Sequence, residues 1–148
     1  MGANMPADPF KLERFVAAQV SVYDEVRREL QAGSKRSHWI WFIFPQLRGL
    51  GRSATAHHYG IASGSEARAY LAHPVLGPRL LECIGLMCAH AGKPLSEIMP
   101  FPDNLKFISS MTLFAQVADD PGLFRTALEI FNAGAGDDAT MALLVDGE

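Results

Sequence analysis

The sequence predicts an all-α fold, a compact orthogonal bundle of about seven to nine helices in a single domain spanning residues 5–146. Three observations carry this expectation. Apolar residues recur at three- and four-residue intervals through most of the chain, which is the spacing of one buried helical face. Proline, glycine and Ser/Asp capping signals punctuate the chain at helical lengths. No pair of alternating apolar and polar runs offers strands that could pair.

The first helix is expected over residues 9–32, opened by Asp8-Pro9 and stopped by Gly33, with Leu12, Phe15, Val16, Val22, Tyr23, Val26 and Leu30 on one face. Trp39 to Phe44 reads either as a buried strand or as a short buried helix; Ser37 as a cap and the lack of a partner strand favour the helix, ended by Pro45. Ser53 is placed to cap a short helix through His58, and Ser63-x-x-Glu66 has the spacing of a capping box for a helix through Leu71. His73-Pro74 opens a long apolar helix over Val75 to Ala91, stopped by Gly92, and Pro94 begins a single turn. Asp103 is read as the cap of a helix carrying Leu105, Phe107, Ile108, Met111, Leu113 and Phe114. Asp120-Pro121 caps the next, with Gly134 after it, and Asp137 or Asp138 begins a last helix through Val145.

Composition limits the function classes. A chain of 148 residues that is 49% hydrophobic and 20% charged is globular rather than disordered, and is long enough to bury a core without disulfides or metal. Cys83 and Cys88 lie five apart in an expected helix, on different faces, so no intrahelical disulfide is expected and a reduced cytoplasmic setting follows. The start, MGANMPADPF, has neither a cationic segment nor a long apolar run, so no signal peptide is expected, and the myristoylation pattern is not met. The longest apolar stretch, Trp39 to Pro45, is too short to span a bilayer.

The net charge of −3 is unevenly spread. No acid lies between Glu29 and Glu66, where Lys35, Arg36, Arg48 and Arg52 fall, whereas nine acids face only Lys106 and Arg125 from Glu97 onward. A local basic region on a mildly acidic protein suits a small anionic metabolite rather than nucleic acid, which calls for a broader cationic stripe. No membrane partner is expected.

The stretch from Lys35 to Tyr59 is the leading site candidate. Gly49-Leu50-Gly51-Arg52-Ser53-Ala54 matches G-x-G-x-x-A, but that fingerprint requires a strand directly before it and a βαβ unit around it, and neither is expected here. A modest reading remains: glycines allow close backbone approach, Ser53 opens a helix whose free N–H groups favour an anion, and Arg48 and Arg52 add charge. The plain alternative is a tight turn with exposed arginines. Trp39, Trp41, Phe42 and Phe44 read mainly as core, with a stacking platform as the alternative, and His38 sits at their edge. His57, His58, His73 and His90 show no zinc-ligand spacing, so no metal and no cofactor are expected. Ser109-Ser110-Met111-Thr112 lacks the S-x-x-K order of serine–lysine hydrolases; its small residues suit close helix crossing, with hydroxyls bonded to the preceding turn.

The chain resembles a bacterial family, domain of unknown function 1810, which sometimes carries the label calpastatin. The resemblance rests on Arg14-Phe15-Val16 with Gln19 and Tyr23, and on Ser37-His38-Trp39 through Phe44-Pro45-Gln46-Leu47 with Gly49-Leu50-Gly51. It continues in Tyr70-Leu71-Ala72-His73-Pro74 with Gly77 and Arg79-Leu80, in Asp103, Lys106 and Ser109 to Phe114, and in Asp138 and Thr140. Met99-Pro100-Phe101 departs from the Phe-Gly of the family pattern. The resemblance implies an all-helical domain of unassigned activity, and a compact apolar chain is unlike a disordered protease inhibitor. A fainter similarity, from Gly134, Gly136 and Asp138 ahead of Met141, Leu143 and Leu144, is to helical enzymes that cleave N-glycosidic bonds in ADP-ribose-like compounds.

The resulting expectation is a pocket for a phosphorylated or nucleotide-like small molecule. The ligand-binding set is His38, Trp39, Trp41, Gln46, Arg48, Gly49, Gly51, Arg52 and Ser53, with Asp103 and Lys106 across the cleft. If there is catalysis, Asp103 or Asp138 is the acid–base candidate and Lys106 the electrostatic stabiliser. The competing classes are a non-catalytic protein-interaction module and an N-glycosidic hydrolase.

Overall fold

The computed structural model describes residues 7–147, which form ten α-helices and one 3-10 turn; the only strand-like pairing among them is an isolated parallel bridge between Leu47 and Ile61. In chain order the helices are α1 (Glu13–Val20), α2 (Tyr23–Ala32), α3 (Ile40–Ile43), α4 (Ala54–Tyr59) and α5 (Gly64–Ala72). They continue as α6 (Leu76–Cys88), α7 (Leu95–Ile98), α8 (Asp103–Val117), α9 (Gly122–Asn132) and α10 (Asp138–Gly147), and the 3-10 turn covers Arg48–Leu50. The fold is all-α.

The long first helix of the sequence reading is two helices. Ser21 and Val22 break it: the Val22 N–H reaches back only to Gln19 O, and Val22 leaves helical geometry at φ −122°. The Val20-Ser21-Val22 run supplies two β-branched residues and a serine, all weak helix formers, at the break. Asp8 does cap this segment, with its carboxylate accepting from Leu12 N and Glu13 N, but from further upstream than expected, because Lys11 takes φ 55° before the helix begins. Gly33 ends α2 at φ 69°, in the left-handed region that favours glycine, and its N–H satisfies carbonyls of the last turn.

The remaining signals act at different precision. Ser53 and Ser63 cap α4 and α5 by accepting from Ala56 N and Glu66 N. His73 opens α6 with its ring, Nδ1 accepting from Val75 N and Leu76 N, but α6 ends at Cys88 rather than running on to Ala91. Asp137 caps α10 through Thr140 N at 2.9 Å. Two expected caps are otherwise engaged. Ser37 does not cap α3, because its hydroxyl donates to Glu29, and Asp103 is the first residue of α8 rather than its cap, because its carboxylate faces lysines.

α8 is the centre of the molecule. Every residue from Phe107 to Ala115 is buried, so it has no solvent stripe, and α5, α9, α10, α3 and α7 pack around it. Ser109 and Thr112 keep their hydroxyls on the preceding turn, donating to Leu105 O and Ile108 O, which lets α9 lie close against α8. An aromatic chain ties α1 to α9 through Phe15, Tyr70, Phe114 and Phe124, with successive ring centroids 5.1, 5.5 and 5.8 Å apart. None of the helices among the described residues is long and apolar enough to cross a membrane.

Candidate functional site

The segment between α2 and α3 is pinned from below by a carboxylate. Glu29, in the last turns of α2 and only 6% exposed, accepts from Arg36 N at 2.7 Å, Ser37 N at 3.0 Å, Ser37 Oγ at 2.6 Å and Trp39 Nε1 at 3.0 Å. Burial alone would raise the Glu29 carboxyl above its usual range, but the Ser37 hydroxyl, the two backbone N–H groups and the indole overcome it and hold the group at about 2. Lys35 N donates to Ile98 O at 2.8 Å, fastening the same segment to α7. The backbone from Lys35 to Trp39 is therefore fixed before any ligand arrives.

Above it lies a charged and aromatic cluster. Lys35 Nζ is 2.6 Å from Asp103 Oδ2 and also donates to Ser37 O, while Lys106 Nζ is 3.6 Å from Asp103 Oδ1. Each ammonium lies over an indole: Lys35 at 4.8 Å from the Trp39 ring and Lys106 at 4.4 Å from the Trp41 ring. Beside this cluster opens a hollow of about 250 Å³ lined by Lys35, Arg36, Ser37, His38 and the Pro100–Asp103 turn. That turn contains a cis Phe101–Pro102 peptide, and Phe101 stands 74% exposed at its edge. Lys35, Lys106 and Arg36 face the carboxylates of Asp103 and the buried Glu29, which leaves positive charge in excess here.

The expected site residues fall in three places. His38 and Asp103 line this hollow, with Lys106 beside Asp103 and Trp41 half-buried beneath Lys106. Trp39 is a core residue, 1% exposed, with its indole N–H taken by Glu29, so it supports the hollow rather than offering a face to a ligand. Arg48 and Gly49 line a separate hollow of about 140 Å³ with Ile61, Ser63, Leu143 and Leu144. Asp138 lines a third, of about 370 Å³, with Thr112, Arg125 and Glu129, so the two acid–base candidates do not converge.

The glycine loop has a packing explanation. A Cβ on Gly51 would lie 2.5 Å from the Ala56 Cβ, and one on Gly60 would lie 2.5 Å from the Arg48 Cα. Arg48 Nε donates to His57 O, Arg48 N to Ile61 O and Ile61 N to Gln46 O, which closes the loop onto α4. Gln46 is buried, whereas Arg52 and Ser53 are exposed. Ser53 Oγ is occupied with Ala56 N, and α4 has six residues.

In the sequence Lys35 and Arg36 stand out only as part of the candidate stretch and not as named ligand residues, and neither Phe101 nor the supporting Glu29 stands out as a site residue. The acid-free run that contains Lys35 and Arg36 was the available signal. Glu29 gave none, since its partners lie beyond a helix end and a left-handed glycine.

The comparisons with known proteins agree with the architecture. The model of the family described as Protein of unknown function (DUF1810) matches residues 9–144. The crystal structure of the conserved hypothetical protein Rv1873 from Mycobacterium tuberculosis is similar at a TM-score of 0.92 and 54% identity, covering 93% of this chain and 99% of that one. No curated protein matches the chain. With this family match over nearly its whole length, the chain belongs to the DUF1810 family.

Proposed function

We propose that this small helical protein binds a phosphorylated or nucleotide-like small molecule in the hollow between the Lys35–His38 segment and the Pro100–Asp103 turn. The observation that carries the reading is the sharing of Asp103 by Lys35 and Lys106, each ammonium backed by an indole, beside Arg36 and His38. An incoming anion meets net positive charge on a backbone already held by Glu29, so little ordering is required on binding. The aromatic and proline wall from Pro100 to Pro102 supplies apolar contact for the rest of the molecule. Asp103 and Lys106 serve here as charge partners. No reaction step is assigned to them, because Asp138, the other carboxylate considered for catalysis, lies at a different hollow. The alternative of a protein-interaction module draws its support from Phe101, which would present an apolar anchor to a partner surface.

Thermal-shift measurements with AMP, ADP-ribose and sugar phosphates test the reading. Ligand at one hundred times its Kd stabilises by about 2.7 kcal/mol, a readily seen shift. Arg36→Ala and His38→Ala should abolish it and Arg52→Ala should leave it intact. A shift that survives the first two variants and vanishes in the third would move the site to the glycine loop. Absence of a shift with every anion would sink the reading.

A further inference from the structure

Ser37 and His38 line not one hollow but two. A second hollow, of about 290 Å³, shares Ser37 and His38 with the basic one and is lined also by Ser21, Val22, Glu25, Trp39 and Phe42. Its chemistry is opposite to that of the first. It carries no lysine or arginine in its wall; its charged member is Glu25, its hydroxyls are Ser21 and Ser37, and Val22 and the half-buried Phe42 give it apolar surface. The break between α1 and α2 shapes it, since Ser21 closes α1 and Val22 leaves helical geometry there. Taken singly, each hollow is below the ~300 Å³ at which small-molecule sites usually begin, and the two flanking His38 together exceed it.

We infer that the two hollows form one bipartite site, and that its ligand is a nucleoside monophosphate: a single anionic group joined to a flat ring that bears N–H donors. This rests on the anion-binding reading of the first hollow and adds the identity of the other half of the ligand. The phosphate occupies the basic hollow against the exposed Arg36, with the buried Lys35 ammonium adding charge from behind. The ring crosses His38 and lies on Phe42, and Glu25 accepts from a ring or exocyclic N–H. Glu25 repels a second phosphate in that half, which separates this class from a bisphosphate spanning both hollows. Glu25 now accepts from Arg28 at 3.0 Å, a surface pair with both side chains at least half exposed, so re-engaging it loses little.

Titration calorimetry of AMP, ribose 5-phosphate and adenosine against the wild-type chain, Glu25→Ala and Phe42→Leu tests the inference. Wild-type protein should bind AMP at least about tenfold more tightly than ribose 5-phosphate, since stacking and a charge-assisted hydrogen bond each contribute on that order. Glu25→Ala and Phe42→Leu should each reduce that preference while leaving ribose 5-phosphate affinity unchanged, and adenosine should bind weakest. Equal affinity for AMP and ribose 5-phosphate would overturn the bipartite site and leave the anion hollow standing. A preference for AMP that persists undiminished in both variants would also overturn it. If none of the phosphates binds, the anion reading and this inference fail together.

Discussion

The indole N–H of Trp39 donates to the Glu29 carboxylate at 3.0 Å, joining the largest buried side chain of the molecule to a nearly inaccessible charge. This bond makes Trp39 both a core residue and a strut of the candidate site. The same carboxylate holds the Arg36 and Ser37 backbone, so the core and the binding segment share one anchor.

Glu29→Ala should therefore unfold the protein more easily by about 3 kcal/mol or more, because several donors lose a charged acceptor inside the protein. Urea denaturation measures this. A change under about 1 kcal/mol would show that water replaces the carboxylate and that the anchor is weaker than its geometry implies.

The pH dependence follows from the same group. Its folded value of about 2 lies below the ordinary 4.5, so its contribution is fully present above pH 4.5 and is lost as pH falls towards 2. The loss is on the order of 3 kcal/mol. Asp8, held low by the backbone N–H groups of Glu13 and Leu12, acts in the same direction. The stability difference between wild type and Glu29→Gln should shrink across this window; a difference independent of pH would contradict the assignment.

Two glycines of α6 should respond oppositely to alanine. At Gly77 a Cβ would meet Leu71 O at 2.2 Å, whereas at Gly85 nothing lies within 4 Å. Gly77→Ala should destabilise by about 1–3 kcal/mol through overpacking against backbone. Gly85→Ala should stabilise by about 0.5–1 kcal/mol through helix propensity. Thermal melts of the pair check this, and destabilisation by Gly85→Ala would contradict the packing described.

The thiols should differ in reactivity. Burial pushes Cys83 up to about 12, offset only in part by its contact with the Tyr23 hydroxyl, and raises the half-buried Cys88 as well. A thiol reagent at pH 8 should label Cys88 slowly and leave Cys83 unlabelled until the chain unfolds. Rapid labelling of Cys83 in the folded protein would show that α2 and α6 separate.

Much of the helical order was legible from local signals. Gly33, Ser53 and Ser63 act through bonds spanning a few residues, and their spacing is visible in the chain. The failures share a cause: Ser37 and Asp103 have cap-like positions, but distant partners, Glu29 and Lys35, outbid the local N–H groups. The site was half legible for the same reason. The acid-free run marked its cations, while the convergence of Lys35, Asp103 and Lys106 depends on α8 lying across the α2–α3 segment. The glycine loop drew attention through Gly49 and Gly51, and the demand for close packing on Ala56 explains Gly51 without a ligand.

Amide chemical-shift titration with AMP locates the binding site directly. The backbone amides of Arg36, His38 and Asp103 should shift together in a saturable manner while those of Gly49, Arg52 and Asp138 do not. Shifts centred on Gly49 and Arg52, or on Asp138, with the Arg36–His38 amides unmoved, would contradict a site at the basic hollow.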